Sequence, residues 1–416
     1  MKYSIVTFGC RVNQADSLQI EEALLARGAT ESPMDNADVV IVNTCSVTAT
    51  ADQGARQTIR RIARDNPSAR IVVTGCYATR RPDEVSTLPN VVRVIRNACK
   101  EDLVAELTTA ERFGNGDGAC GASIEPGLAG RTVFTLRVQT GCEEHCSYCI
   151  IPTTRGAGRS LRLRDVLDEV VRIASAGFKE IVLTGVHLGS YGRDVTPRSS
   201  LFELLRALDE LAVDLTFRIS SLEPMDCTPA IVKLVADSNG RFAPHFHLPL
   251  QHASNRMLAL MHRPYTLDDY KELVNTIADR MPHASIGSDM IVGFPGETEA
   301  DFARNLEYLP GSPLTHLHVF PYSDRPGTPA SGMCDKVAGP TVRERSGSLR
   351  SISRELADRF RNSQRGTIRR GLTIENGQTV VTDNYLKLQV NASLTRNVRV
   401  MVRVLDGSRG EVLDQL

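Results

Sequence analysis

Short apolar runs alternate with longer amphipathic stretches in the first quarter of the chain. The apolar runs that predict strands are residues 2–8, 38–42 and 70–74, and the stretches that predict helices are residues 14–26 and 52–64. Strands that alternate with helices of about 10 to 15 residues are typical of βαβ units with a parallel sheet. We therefore predict a parallel-sheet α/β domain over residues 1–112.

The same rhythm resumes after a glycine-rich stretch at 112–130, which has no apolar periodicity and which we interpret as a linker. Strands are predicted at residues 134–139, 180–184, 215–220, 245–250, 286–292 and 315–320. Helices are predicted between them at residues 164–176, 201–211, 229–238 and 267–281. Six βα units favour a partial (βα)6 barrel over a small sandwich, and we place this domain at residues 128–357.

The end of the chain follows a third pattern. Residues 342–370 predict one long basic helix. From residue 372 onward, five short alternating segments predict strands, with turns at Asn376-Gly377 and Asp406-Gly407. This pattern is typical of a small β-barrel, which we place at residues 366–416. The predicted fold class is thus α/β, with a small carboxy-terminal β-barrel added to the two α/β domains.

The charges of the chain balance overall but not locally. Its 416 residues contain 49 basic and 49 acidic side chains, so the formal net charge is zero. This balance argues against a uniformly basic coat for nucleic acid, and 41% hydrophobic residues exclude a disordered chain. The net charge is −2 over residues 1–130, −4 over 131–340 and +6 over 341–416. The carboxy-terminal part is therefore a basic module.

Hydropathy and cysteine usage indicate where the chain works. The opening MKYSIVTFGC lacks the apolar centre of a secretory signal, and no apolar run approaches the roughly 18 residues of a transmembrane helix. We expect a cytoplasmic protein without a membrane partner. Thiols stay reduced in that compartment, so clusters among the ten cysteines are expected to bind metal rather than to form disulfides.

Three of the cysteines form a compact motif, C-x3-C-x2-C, at Cys142, Cys146 and Cys149. Three thiolates on one tight loop can ligate three irons of a [4Fe–4S] cluster and leave the fourth iron open to another ligand. The alternative is a zinc site, but zinc prefers a fourth protein ligand, and His145 lies inside the triplet, where the geometry is cramped. The motif therefore predicts a cluster with an open iron.

This motif, at the end of the first strand of a predicted βα barrel, resembles that of the radical S-adenosylmethionine (SAM) enzymes. The resemblance implies that the open iron chelates SAM and that electron transfer to SAM yields a 5′-deoxyadenosyl radical. Tyr148 matches the aromatic residue that usually precedes the third cysteine. The residues that we expect to bind SAM are Tyr148 and, at later strand ends, Thr184, Gly185, Ser221, Glu223, Gln251 and Gly293.

A second set of cysteines is dispersed along the first domain. Cys10, Cys45 and Cys76 each follow a predicted strand at once, in IVTFGC, VIVNTC and IVVTGC. Neighbouring strands of a sheet lie about 5 Å apart, so the three thiols are expected to meet at one edge. The alternative is three separately buried thiols, since free cysteine is often buried. Three cysteines in register favour a second [4Fe–4S] cluster with an open iron.

The surroundings of these cysteines, FGCRVNQADS, NTCSVT and TGCYA, resemble the amino-terminal domain of the methylthiotransferases. The segments HLPLQHAS, MHRPY and FPYSDRPGT resemble the core of the same family, and the β-rich end resembles a TRAM domain, which binds RNA. The resemblance covers nearly the whole chain. It implies that the six cysteines of the two triplets ligate two [4Fe–4S] clusters and are the catalytic residues.

Three types of methylthiotransferase share this architecture. They act on isopentenyladenosine in tRNA, on N6-threonylcarbamoyladenosine in tRNA, or on an aspartate of a ribosomal protein. Arg-Val-Asn-Gln after Cys10 is similar to the threonylcarbamoyl type, whereas the isopentenyl type has Gln-Met-Asn there and the protein-modifying type has Pro-Lys-Asn. The segment TGVHLGSYG at 184–192 also resembles the threonylcarbamoyl type most.

The resemblance implies a reaction that adds a methylthio group to C2 of the threonylcarbamoyladenosine beside the anticodon. Two molecules of SAM would be used: one methylates sulfur held on the amino-terminal cluster, and the other gives the radical that abstracts the C2 hydrogen. The implied partners are the anticodon loop of tRNA and an electron donor such as flavodoxin or ferredoxin. The sulfur source is not indicated.

Other interpretations stay open at this point. The isopentenyl and protein-modifying types are alternatives, and a non-enzymatic alternative is an iron–sulfur RNA-binding sensor.

The basic module at 341–416 is expected to contact RNA phosphates. Four cysteines match no motif and are expected to take no part: Cys99, Cys120, Cys227 and Cys334.

Overall fold

A computed structural model describes residues 1–107, 125–127, 131–392 and 394–416 of the chain. The predicted linker at 112–130 therefore lies outside the described residues, except for 125–127. Among the described residues, no helix combines the length and the apolar character that crossing a bilayer would require.

The first α/β unit is built on a five-stranded parallel sheet. Its elements in chain order are β1 Lys2–Thr7, α1 Arg11–Leu25, β2 Thr30–Glu31, β3 Val39–Thr44, α2 Ala49–Asp65, β4 Arg70–Gly75, α3 Cys76–Arg80, α4 Pro82–Ser86, β5 Val91–Ile95 and α5 Leu103–Leu107. The strand order is β2-β1-β3-β4-β5, so β1, β3 and β4 are direct neighbours. The predicted parallel sheet is confirmed, and every residue of β3 is buried, as expected for a central strand.

The second unit carries the six predicted βα strands. Its elements are β6 Phe134–Arg137, β7 Gln139–Thr140, α6 Ile151–Arg155, β8 Arg159–Ser160, α7 Leu163–Ser175, β9 Glu180–Thr184, α8 Leu201–Glu210, β10 Thr216–Ile219, α9 Pro229–Asp237, β11 His245–His247, α10 Asn255–Leu260, α11 Leu267–Arg280, β12 Ser285–Val292, α12 Glu299–Tyr308 and β13 His316–Pro321. Two parallel sheets, β10-β9-β6 and β11-β12-β13, are joined by the bridges Phe217–Phe242 and Ser221–His247. The six strands therefore form the expected partial barrel.

The end of the chain contains the long helix α13 Gly339–Ser363, followed by the strands β14 Ile368–Ile374, β15 Thr379–Thr382, β16 Lys387–Val390, β17 Arg399–Val404 and β18 Arg409–Gln415. These strands close into a barrel in the order β14-β15-β16-β18-β17. The predicted helix through residue 370 is wrong in its last part. Gly366 takes a positive φ of 81°, a conformation that ends helices, and Ile368 then pairs with Arg403 in the barrel.

Helix α13 closes the free edge of the partial barrel. The hydroxyl of Ser353 accepts a hydrogen bond from the Leu317 amide and donates one to the Leu317 carbonyl, both at 3.0 Å. Leu349 and Leu356 of α13 are buried in the same core as the barrel strands. A paired and covered edge strand cannot recruit foreign strands, so α13 belongs structurally to the barrel that it follows.

Candidate functional site

The loop with Cys142, Cys146 and Cys149 leaves β7 at the mouth of the partial barrel. Its ends are fixed by backbone hydrogen bonds from Cys142 to the Gly156 carbonyl at 3.0 Å and from Cys149 to the Cys146 carbonyl at 3.1 Å. Gly141 has a φ of 76°, and a side chain there would overlap the carbonyl of Ala157. The loop is therefore held in a compact shape, and all three cysteines are half-buried residues.

Hydrogen-bond donors point at each of the three sulfur atoms. The Arg263 guanidinium lies 3.0 Å from Cys146 Sγ, and the amides of Glu144 and Ile151 lie 3.4 Å from the sulfurs of Cys142 and Cys149. Such donors stabilise thiolates, the form that binds iron. The set of three thiols and their donors thus fits a cluster with three protein ligands, and the ligation itself stays a prediction.

His187 lies beside the first thiol of the loop. Its ring Nε2 is 2.7 Å from the Asp226 carboxylate. Burial lowers the pKa of His187, but hydrogen bonds to Asp226 and to the Cys142 thiol outweigh it and raise the pKa to about 9. These contacts favour the protonated imidazole, which would place a positive charge next to the anionic cluster that we expect.

The expected SAM-binding residues lie at the carboxyl ends of β9, β10, β11 and β12, around the cysteine loop. Glu223 reaches the loop indirectly, since it forms an ion pair with Arg263, which contacts Cys146. Tyr148 packs edge to face on Phe294, with the ring centroids 6.4 Å apart. The hydroxyl of Thr184 accepts a hydrogen bond from Ser220 at 3.3 Å.

The other residues that we expect to bind SAM differ in how exposed they are. Ser221 is exposed, and Gln251 takes a left-handed backbone conformation with φ 70° while its amide and carbonyl bond to β12. Gly185 abuts the Gln139 side chain. A side chain on Gly293 would overlap Val342 of α13, so this glycine serves helix packing. For all of them, contact with SAM stays a prediction.

The second triplet converges as predicted. Thr7, Asn43 and Thr74 stand side by side on β1, β3 and β4, so Cys10, Cys45 and Cys76 leave one edge of the sheet. Burial raises the pKa of the Cys45 thiol to about 12, and the nearby thiols of Cys10 and Cys76 act in the same direction. The three thiols therefore share one site, which fits a second cluster with three protein ligands.

Side-chain hydrogen bonds tie the three cysteine loops together. The Asn13 amide donates to the carbonyls of Phe8 and Thr44 at 2.7 and 3.0 Å, which joins the first two loops. The Thr44 hydroxyl donates to the Thr74 carbonyl at 2.6 Å and accepts from the Ala78 amide, which joins the second and third loops. These hydrogen bonds hold the three loops in a fixed relation to one another.

Arg155 connects the two cysteine sites and was missed by sequence reasoning. It ends the short helix α6, which begins two residues after Cys149. Its buried guanidinium donates to Asn13 Oδ1 at 2.5 Å and to Asp16 Oδ2 at 3.0 Å, and it also interacts with the Cys76 thiol. One helix turn thus spans from one triplet to the other.

Polar side chains line the inner face of the partial barrel. His247 and His318 lie 2.9 and 3.2 Å from one oxygen of Asp289, and the possible ligand atoms of the three residues fall within 4.8 Å of one another. The two histidines lower the pKa of the Asp289 carboxyl against the effect of burial, which is the largest. These three side chains make this part of the barrel interior polar, which suits a polar substrate.

That the four remaining cysteines take no part in either site stays a prediction. Cys227 is buried, which raises the pKa of its thiol to about 12. Cys99 and Cys334 are exposed, and Cys120 is outside the described residues.

Comparison with known proteins follows the same division of the chain. Residues 2–96 match the uncharacterized protein family UPF0004, and residues 136–309 match the Radical SAM superfamily. The fold is similar to that of the radical S-adenosylmethionine methyltransferase TsrM from Kitasatospora setae, with a TM-score of 0.55 and 15% identity over 79% of this chain and 76% of that chain.

Curated relatives match far more of the sequence. The "Threonylcarbamoyladenosine tRNA methylthiotransferase MtaB" of Aquifex aeolicus is 36% identical over 97% of this chain and 100% of its own length. The "tRNA-2-methylthio-N(6)-dimethylallyladenosine synthase" of Pelotomaculum thermopropionicum is 32% identical over 86% of this chain and 83% of its own length.

The three-cysteine loop and the partial barrel, together with the superfamily match, define a radical SAM protein. More narrowly, the chain belongs to the methylthiotransferase family within that superfamily. It is therefore an enzyme that transfers sulfur-containing groups, and a [4Fe–4S] cluster and SAM follow from the family. The zinc site and the non-enzymatic sensor are thereby set aside.

Proposed function

We propose that this chain adds a methylthio group to C2 of N6-threonylcarbamoyladenosine beside the anticodon of tRNA. The observation that carries the proposal is the match to the Aquifex relative, whose name states this substrate and whose whole length is covered. The Arg-Val-Asn-Gln segment after Cys10 supports it independently. The enzyme would work in the cytoplasm, where a donor such as flavodoxin or ferredoxin supplies electrons.

Each triplet would hold one [4Fe–4S] cluster through three thiolates, and the iron without a cysteine would stay open. When bound, the cluster at Cys142, Cys146 and Cys149 would supply radical chemistry together with SAM, which an inert C2–H bond requires. The cluster at Cys10, Cys45 and Cys76 would hold the sulfur that is transferred. Tyr148, Thr184, Gly185, Ser221, Glu223, Gln251 and Gly293 would surround SAM.

The protein itself contributes by holding the two cysteine sites in a fixed relation to each other. Arg263 orients Cys146 and Glu223 at the barrel mouth, and Arg155 holds the amino-terminal site against α6. A radical reaction between a bound base and a sulfur donor succeeds only when the two are held in a near-attack geometry. The buried contacts of Arg155 provide that fixed relation between the two cysteine sites.

The isopentenyl type is the second candidate, because the Pelotomaculum relative is also similar over most of the chain. Its substrate carries an uncharged N6 substituent, whereas the threonylcarbamoyl group carries a carboxylate. Arginine at position 11 suits the charged substituent. No observation favours the ribosomal-protein substrate.

The decisive experiment is mass spectrometry of tRNA nucleosides from a strain that lacks this gene. We expect 2-methylthio-N6-threonylcarbamoyladenosine to disappear, N6-threonylcarbamoyladenosine to accumulate and 2-methylthio-N6-isopentenyladenosine to stay at its normal level. Re-expression of the intact chain should restore the missing nucleoside. Loss of the isopentenyl product instead would transfer the assignment to the second candidate.

A further inference from the structure

Three parts of the chain meet at one aromatic side chain, Tyr385, in the loop between β15 and β16. Its hydroxyl accepts a hydrogen bond from Arg11 Nη2 at 2.7 Å. Its ring centroid lies 4.8 Å from the Arg218 guanidinium of β10 and 4.7 Å from the ring of His245, the first residue of β11. Arg11, the residue after Cys10, is thereby placed between the amino-terminal cysteine site and the barrel interior.

The positive charges at this junction are unequally compensated. Arg218 is buried and pairs with Glu180 at 2.8 Å, and it also donates to the carbonyls of Thr382 and Asp383. Arg11 has a phenol as its hydrogen-bond partner, and among the residues that the structure describes no carboxylate lies within ion-pair distance of it. A cation in this position, beside the barrel interior, is suited to an anionic group of a ligand.

Burial and the surrounding cations both lower the pKa of His245. Burial lowers the pKa of this histidine most, and Arg218, His316, His247 and Arg11 lower it further. His245 is therefore neutral and does not offer a positive charge to an anionic group of a ligand. Arg11 is the side chain at the junction whose charge is left for a ligand.

We propose that Arg11 binds the threonyl carboxylate of the substrate and so selects the threonylcarbamoyl group. This inference rests on the proposed function. C2 and the N6 substituent of adenine flank the same ring nitrogen, N1, so a base whose C2 faces the site at Cys10 presents its substituent close by. The planar guanidinium matches a carboxylate in a two-point contact, which a glutamine at this position could not provide.

The test compares two RNA stem-loops that differ in one functional group. One carries N6-threonylcarbamoyladenosine next to the anticodon, and the other carries its threonine amide, in which a carboxamide replaces the carboxylate. For the unaltered holoenzyme we expect kcat/KM and the affinity measured by fluorescence anisotropy to favour the acid by roughly 10- to 100-fold, the range for a charged hydrogen bond. In Arg11→Gln the preference should vanish, and Arg11→Lys should keep part of it.

Arg164→Gln is the matched control, because Arg164 is 91% exposed on α7 and pairs loosely with Asp168. It should keep the full preference for the acid. Iron content and reductive SAM cleavage of each variant report whether the cysteine sites are intact, and the acid-to-amide ratio cancels a general loss of activity.

An acid preference that survives in Arg11→Gln would overturn this inference while leaving the proposed function in place, as would an unaltered enzyme that modifies both RNAs equally well. An unaltered enzyme that modifies neither RNA would overturn the proposed function, and the inference with it.

Discussion

At the scale of single residues, the two cysteine triplets predict separable losses. Cys142→Ala removes an expected cluster ligand, which contacts the Glu144 amide and His187 at the barrel mouth, so reductive SAM cleavage should be abolished. Cys45→Ala leaves that loop untouched, so cleavage should persist while methylthiolation is lost. Counting 5′-deoxyadenosine and methylthiolated nucleoside in the same reactions separates the two. Methylthiolation by Cys45→Ala would contradict a second catalytic cluster.

Gly9 offers a sharper test of how closely the amino-terminal loops pack. Its φ is 89°, and an added Cβ would lie 2.5 Å from Cys45 Cβ and 2.6 Å from Cys45 Sγ. Gly9→Ala should therefore displace Cys45, so that the bound iron falls by about half and SAM cleavage continues. Iron analysis of the reconstituted protein measures this.

Gly28→Ala is the matched control for Gly9→Ala, because Gly28 also has a positive φ, 73°, but has no atom within 4 Å of an added Cβ. Its backbone strain should be comparable, about 1 kcal/mol, yet its iron content should be normal. Equal iron loss in both variants would mean that backbone strain, and not contact with Cys45, is responsible.

The cysteines could be predicted from the sequence, whereas the arginines around them could not. Cysteines at successive strand ends, or in a tight repeat, leave a local pattern. Arg155 and Asp16 are 139 residues apart, and nothing near either residue indicates the other. Arg263 lies in a segment that resembles the family core, but its contact with Cys146 depends on the packing of α10 beside the loop.

At the scale of elements, Asp16 of α1 joins the amino-terminal sheet to the partial barrel. Its fully buried carboxylate lies 2.7 Å from Lys100 Nζ and 3.0 Å from Arg155 Nη2, and it also pairs with Arg137 of β6. Asp16→Asn leaves buried cations without their counter-ion. We expect a loss of about 3 to 5 kcal/mol in the opening free energy of β1 and β3, measured by amide hydrogen exchange.

The pH dependence of this joint has a defined sign. Burial opposes the charged form of Asp16, but Lys100, Arg155 and Arg137 prevail and hold the pKa of the carboxyl below its usual range. The stabilisation is therefore present above the unfolded-state pKa of about 4 and is lost as the pH falls towards the folded-state value. The difference between the unaltered protein and Asp16→Asn should shrink in that acid range. Asp268→Asn should change little at any pH, because the Asp268 side chain, which pairs with Lys271, is 84% exposed.

Most of the longer elements followed from periodicity, whereas β5 and the short helices α3 and α4 were not predicted. Two further differences have a physical reason. The βα strands are short apolar runs between amphipathic helices, and the structure has them where the pattern predicts. The β7–β8 ribbon has two residues in each strand, too few for any period, and was missed. The helix predicted to run through residue 370 was too long, because arginines suit a helix face and an exposed barrel strand equally well.

At the scale of the whole molecule, the zero net charge conceals a basic surface on α13. Of the nine arginines between 341 and 370, five are engaged with the protein: Arg345 with Glu297 and Glu299, Arg359 with loop carbonyls, Arg361 with Asp358, Arg369 with Asp383, and Arg370 with the Asn239 carbonyl. Among the described residues no ion pair involves the other four, Arg343, Arg350, Arg354 and Arg365. Arg365 follows the end of α13, and the other three are exposed on this helix at spacings of seven and four.

This distribution shifts the expected RNA contact from the small barrel to the helix before it. Residues seven and four apart share one face of a helix, so the three free arginines form a stripe about 16 Å long, a length that suits successive phosphates. Deleting residues 366–416 would be a poor test of RNA binding. It would also remove Asp383 and Tyr385, which contact the buried side chains of Arg218 and His245, and so would disturb the partial barrel. Substitutions on the stripe leave those buried contacts intact.

The triple variant Arg343→Gln, Arg350→Gln and Arg354→Gln should therefore weaken tRNA binding and flatten its salt dependence while reductive SAM cleavage stays normal. Each lost phosphate contact reduces the slope of log K against log salt by about 0.7 to 0.9, so the loss of all three should reduce it by about 2 to 3. Titrations at several salt concentrations measure this slope. A control with the same change in net charge, Arg164→Gln, Arg206→Gln and Arg304→Gln, alters exposed arginines on three other helices. Equal slopes for the two variants would mean that tRNA responds to overall charge and that α13 carries no binding surface of its own.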